Sequence, residues 1–212
     1  MSDLTMLTES VIKGDAKTAV AETQRALDTG TSAQDILDGE LIVAMDIMGQ
    51  RFSKGIVFVP QLLRSARTMQ ECMKLLEPFF KEGTATSKGK VVIGTVKGDL
   101  HDIGKNLVSM MMEGAGFRIT DLGVDVPPEK FVQKVQEVEP DIVAMSALLS
   151  TTMPAMPLTI DALREAGLRD KIKIMIGGAP VTEDYAREIQ ADSYGADAGS
   201  AVIKAKQLLG IS

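Results

Sequence analysis

Beyond residue 90 the chain repeats one pattern five times: a short apolar run, then a stretch with helical spacing. The runs are Val91–Val96, Phe117–Asp121, Ile142–Ser146, Ile172–Ile176 and a brief Ser193–Tyr194. The helical stretches are Ile103–Glu113, Pro128–Val138, Met153–Glu165, Thr182–Ile189 and Ala198–Leu209. The apolar runs are β-branched and continuous rather than alternating, as strands buried on both faces are. Strand and helix alternating at this spacing predict a parallel sheet wound with helices on both sides.

Five such strands suit an α/β fold with the flavodoxin-like (Rossmann-like) order, in which the first strand borders the third. Ligands of such sheets sit beyond the carboxyl ends of the strands. The first part of the chain reads differently. Leu4–Lys13 places Leu4, Leu7 and Val11 on one face, and Ala16–Leu27 is a second amphipathic stretch. Ser32 is an N-cap for a long helix to about Phe52, and Pro60 opens a fourth helix that runs to about Lys81. Four helices with short connections predict a small bundle. Residues 82–89 lack large apolar side chains and read as a linker. The expected organisation is a helical cap at 1–83, a linker at 84–89 and a sheet domain at 90–212.

Charge and cysteine content narrow the class. A net charge of −6 without a basic cluster argues against nucleic acid as a partner. A single cysteine, Cys72, excludes an internal disulfide framework. No apolar run approaches the length of a membrane span, and Met1-Ser2-Asp3 lacks the basic-then-apolar start of a secretory signal. The expected location is the reducing cytoplasm. Thirteen methionines include pairs at helical spacing, Met45 with Met48 and Met69 with Met73. They either fill a core adaptably or line a large apolar ligand.

The chain's one histidine, His101, lies in Gly98-Asp99-Leu100-His101-Asp102-Ile103-Gly104, between the first strand and the next helix. Asp99 is close enough to hold one ring nitrogen and fix the tautomer. Gly98 and Gly104 leave room for a large group to approach the backbone. Asp102 is also near, but its place suits a helix cap. The other strands bring Ser146, Leu148, Ser150 and Thr152, then Gly177 and Gly178, then Tyr194, Gly195 and Ala196, to the same edge. Gly177-Gly178 is either a plain strand-to-helix turn or a place where a ligand passes close to the backbone.

Asp99-x-His101-x-x-Gly104, followed by Ser146-Ala147-Leu148 and Gly177-Gly178, resembles the cobalamin-binding signature of methionine synthase, methylmalonyl-CoA mutases and the corrinoid proteins of methyltransferase systems. The resemblance implies a cobalamin or related corrinoid (methylcobalamin, hydroxocobalamin or a cobalt(I) form) with His101 as lower axial ligand to cobalt. Asp99 would accept the other ring N–H, and Thr152 would supply a hydroxyl to Asp99 where methionine synthase has serine. Ser146 would face the displaced lower base, and Gly177 and Gly178 would flank the nucleotide tail. Ile103 and the Tyr194-Gly195-Ala196 edge complete the expected binding surface. Phe52-x(6)-Val59-Pro60-Gln61-Leu62 is similar to the cap that covers the cofactor's upper face, with Phe52, Val59 and Leu62 in the matching places. Bundle packing is the competing reading of those three.

The length leaves no room for the barrel of a mutase or for the substrate modules of methionine synthase. The implied function is a free-standing methyl carrier of a methanol, methylamine, betaine or aryl methyl ether system. It accepts a methyl group on cobalt(I) from a substrate-specific methyltransferase and passes it as methyl-cobalt(III) to a second methyltransferase, which uses tetrahydrofolate or a thiol. A reductive activation protein is the third implied partner. Alone the chain would turn nothing over. The alternative within the resemblance is a cobalamin-based sensor, which usually carries a DNA-binding module and a cap tryptophan, neither of which is seen here. A phosphate receiver would need an aspartate where Ser146 stands.

Overall fold

The computed structural model describes residues 5–80 and 87–211, so Leu4 and half of the expected 84–89 linker lie outside the described residues. The chain divides into two compact units, Met1–Ser87 with Gly114–Gly116, and Lys88–Glu113 with Phe117–Ser212.

The first unit holds α1 (Met6–Lys13), α2 (Ala16–Asp28), α3 (Ala33–Ile36), α4 (Ile42–Ser53) and α5 (Val59–Leu76). Its helix starts are written in local chemistry. The Thr5 hydroxyl accepts from the Thr8 N–H, Asp15 from Thr18, and Ser32 from Asp35, each satisfying an orphan donor of a first turn. The expected single helix from Ser32 to Phe52 is interrupted. Leu37–Leu41 forms one turn of π-helix, with the Ile42 N–H reaching back to the Leu37 carbonyl. That wider turn carries Glu40, whose carboxylate accepts the Thr5 and Thr8 hydroxyls at the start of α1. A helix N-terminus favours an anion there.

Pro60 sits in the first turn of α5, where its missing N–H costs nothing. The helix ends at Leu76 rather than Lys81, followed by a 3-10 turn at Glu77–Phe79. Pro78 fits the early end, because it has no N–H to continue the helical ladder to the residue four positions back. Leu62, Ala66, Met69 and Leu76 form the buried stripe of α5, in a core with Val11, Leu41, Met45 and Met48. Met45, Met48 and Met69 are therefore core residues. Cys72 is fully buried, and burial pushes its thiol up.

The second unit is the predicted sheet. Strands β1 (Lys90–Thr95), β2 (Arg118–Asp121), β3 (Ile142–Ser146), β4 (Lys173–Gly177) and β5 (Ser193–Gly195) are all parallel, in the order β2-β1-β3-β4-β5. The helices are α6 (Ile103–Gly114), α7 (Pro128–Val138), α8 (Ala155–Glu165), α9 (Glu183–Glu188) and α10 (Ala198–Leu209). Val92, Val143, Met145, Ile174 and Ile176 from the strands pack with Phe131, Val135, Met156, Ile160 and Leu163 from α7 and α8. The register aligns the carboxyl ends: Thr95 pairs with Ser146, Ser146 with Gly177, and Gly177 with Gly195. A row of small residues thus crosses the edge where ligands of this topology bind. No helix among the described residues is long and apolar enough to cross a membrane.

Candidate functional site

The site is built around one buried carboxylate. Asp99 lies just beyond β1 and is fully buried. Its Oδ1 accepts from the His101 ring Nδ1 at 2.7 Å and from the His101 main-chain N–H at 3.1 Å. Its Oδ2 accepts from the Leu148 N–H at 2.7 Å and from the Thr152 hydroxyl at 2.7 Å, with the Leu149 N–H further away at 3.3 Å. Burial pushes the Asp99 carboxyl up. The hydrogen bonds from Thr152, His101 and Leu148 outweigh it and hold the group well below the usual carboxylate range. An ionised Asp99 can only accept, so the ring donates from Nδ1. Neutral imidazole in that tautomer carries its lone pair on Nε2, the ligand form. Nε2 makes no hydrogen bond among the described residues, and 49% of the side chain is exposed.

The loops that deliver these groups are ordered locally. The Thr95 hydroxyl at the end of β1 donates to the His101 carbonyl at 2.9 Å. Residues 148–154 coil tightly after β3, with the Thr152 N–H on the Leu149 carbonyl at 3.0 Å, which delays α8 to Ala155 rather than Met153. Asp102 is exposed; its carbonyl accepts from the Asn106 N–H at 2.7 Å and its carboxylate from the Asn106 side chain at 3.1 Å, the helix-start role. Leu100 and Ile103 are 71% and 82% exposed, and Leu148 and Leu149 are also open. With the half-exposed imidazole, these side chains give an apolar surface that suits a large ligand. Ser146 is half-buried at the edge, and Gly104 and Ser150 are exposed.

Gly178, at φ 129°, would place a Cβ 1.8 Å from the Ala147 carbonyl oxygen, and Gly177 would place one 3.0 Å from the Gly195 carbonyl. Glycine at 178 is thus demanded by the protein's own backbone, while at 177 a side chain would be a tight fit. Ala147 directly precedes Leu148, whose N–H binds Asp99. Gly178→Ala is expected to cost about 3 kcal/mol or more by overpacking, measured by urea unfolding, and to pull the Leu148 donor off Asp99. Tyr194 is half-buried in β5 opposite Ile176, and Ala196 is exposed beyond the strand end.

The B12 binding domain family matches residues 89–203, and a second B12 binding domain family matches residues 4–77. The chain belongs to the B12-binding corrinoid proteins. Among curated relatives, this corrinoid protein is 47% identical over 166 residues to dimethylamine corrinoid protein 3 of Methanosarcina mazei, spanning 78% of this chain and 99% of that one. It is 40% identical over 205 residues to the trimethylamine corrinoid protein of Methanosarcina barkeri, spanning 96% and 94%. Among solved structures, it resembles the methanol:cobalamin methyltransferase complex MtaBC of M. barkeri with a TM-score of 0.86 at 30% identity, covering 98% of this chain and 79% of that one. A cobalamin-binding protein of Desulfitobacterium hafniense gives a TM-score of 0.82 at 33% identity, covering 98% and 99%.

In this corrinoid protein Leu62 is fully buried, in the stripe of α5 that continues through Ala66 and Met69. Val59 is 38% exposed and Phe52 half-buried. The open apolar side chains of that segment are Ile56 and Phe58, which sequence reasoning passed over because they precede the helix and fall outside its period. The Leu148 N–H and the Thr95 hydroxyl were also missed. Main-chain donors leave no trace in residue type, and Thr95 reads simply as a strand residue.

Thr152→Val removes a hydroxyl donated to a charged acceptor and is expected to cost about 2 kcal/mol. Urea unfolding beside Thr152→Ser, which keeps the hydroxyl and should cost less, measures it.

Proposed function

We propose that this chain is the corrinoid-carrying subunit of a methyltransferase system. The observation that carries the reading is the relay Thr152–Asp99–His101, which leaves an exposed imidazole nitrogen with no protein partner. When bound, the corrinoid supplies a cobalt centre that takes a methyl group from one methyltransferase and yields it to another. The chain's own residues do the rest. His101 would hold the cobalt through Nε2, and Asp99 holds the opposite ring N–H, which sets the tautomer and would raise the basicity of that nitrogen. Thr152 donates its hydroxyl to Asp99, which keeps the carboxylate charged and aimed at the ring.

We assign residues 90–212 to holding the cofactor, with Gly98, Ile103, Gly104, Ser146, Leu148, Ser150, Gly177, Gly178 and the Tyr194–Ala196 edge lining it. Residues 1–83 are assigned to shielding it, and residues 84–89 to the linker. The relatives named for methylamines and the methanol complex support a one-carbon donor of that kind, a substrate-specific methyltransferase and a second methyltransferase as partners. The acidic composition, with no spanning helix among the described residues, suits the cytoplasm. The test loads the protein with hydroxocobalamin, reduces it, and offers carbon-14 methanol, dimethylamine or trimethylamine with the matching methyltransferase. Label that travels with the holoprotein through gel filtration is expected for one donor. No label with any donor overturns the reading.

A further inference from the structure

The Asp99–His101 pair is held from outside its own loop by a residue on another strand connection. Past β1 and β2 the two chains keep running side by side. The Thr95 N–H donates to the Gly123 carbonyl at 3.0 Å, the Val126 N–H donates to the Thr95 carbonyl at 3.0 Å, and Val96 bridges Val126. Asp125 sits in this extension, between β2 and α7. Its N–H donates to the Asp99 carbonyl at 2.9 Å, and its Oδ1 accepts from the Gly98 N–H at 2.7 Å. The peptide units on either side of the Gly98–Asp99 bond, 97–98 and 99–100, are thus gripped by one residue, in both directions.

The backbone of Asp125 is itself unusual. Its φ is 52°, the left-handed region that most side chains avoid and that aspartate and asparagine tolerate best. Gly98 opposite is at φ 85°, so the two turns meet with both chains in left-handed conformations. A strained non-glycine residue persists where its surroundings over-determine it, and such residues gather at functional sites.

We propose that Asp125 is a positioning residue for His101. It fixes the peptide units before Gly98 and after Asp99, and through them the angle at which the Asp99 carboxylate meets the imidazole. The proposal concerns the apoprotein geometry; its meaning for cobalt ligation rests on the function proposed above.

His101 is the chain's one histidine, so imidazole signals in nitrogen-15 NMR report on it alone. Three proteins are compared as apoproteins at about pH 8, above the ordinary imidazole range. Wild type and Asp125→Asn, which keeps an acceptor oxygen and tolerates the same φ, are expected to show a single Nδ1–H tautomer. Asp125→Gly relieves the strain but deletes the acceptor, and is expected to show a mixture of tautomers with thermal stability near wild type. The same three proteins loaded with cobalamin and reduced to cobalt(II) are then read by electron paramagnetic resonance. Nitrogen superhyperfine splitting is expected to be full in the first two and partly lost in Asp125→Gly. An Asp125→Gly protein with the wild-type tautomer overturns the proposal. So does one that unfolds, because the carboxylate would then serve the fold and not the aim of the ring. Failure of all three to take up cobalamin would strike the function proposed above and leave the tautomer result standing.

Discussion

Replacing Asp99 by alanine is expected to lower the unfolding free energy by about 3 kcal/mol or more, since removing one member of a buried charged network strands the others. The loss is not the sum of all its hydrogen bonds. The Thr152 hydroxyl has a second acceptor in the Leu149 carbonyl at 2.8 Å and can turn to it. The His101 ring is half exposed and can find water. The Leu148 N–H has no second acceptor among the described residues and carries most of the penalty. Asp99→Asn separates charge from shape. Because the folded protein holds the Asp99 carboxyl below its usual range, the carboxylate stabilises above the unfolded value, near about pH 4. That contribution is lost as the pH falls through the folded value. The stability gap between wild type and Asp99→Asn should therefore be widest at neutral pH and narrow on acidification. Urea unfolding at several pH values measures it, and a gap independent of pH would contradict the assignment.

The second large effect falls on ligation and not on stability. His101→Ala removes a half-exposed ring, so its folding cost should stay within about 1 kcal/mol. Loaded with cobinamide, which carries no nucleotide base, the cobalt(II) protein should nevertheless lose its nitrogen superhyperfine splitting completely. Added imidazole should restore part of it, because the vacated space and the Asp99 acceptor remain. A His101→Ala protein with unchanged splitting would mean that His101 is not the ligand.

The two results together separate what was legible in the chain from what was not. Continuous runs such as Val91–Val96 and Ile142–Ser146 specify doubly covered strands, and their alternation with helices leaves few topologies. The strand order therefore followed from the pattern. Asp99 and His101 were legible because their spacing across one loop permits the bond now seen at 2.7 Å. Thr152 was found only through resemblance; no periodicity joins it to a residue 53 positions away. Leu62 could not be placed from its type alone, because a helical stripe and a ligand-facing patch use the same residue types; it lies buried in the stripe of α5. The π turn at Leu37–Leu41 and the clamp by Asp125 were invisible for another reason. Both depend on main-chain groups, which every residue carries alike.

The most direct test of the account is reconstitution. The apoprotein is incubated with hydroxocobalamin, freed of unbound ligand by gel filtration, and examined by visible spectroscopy and cobalt analysis. One cobalt per chain, in a red protein whose spectrum differs from that of His101→Ala, is the result the account predicts. A colourless protein, with cofactor supplied during refolding as well, would contradict it.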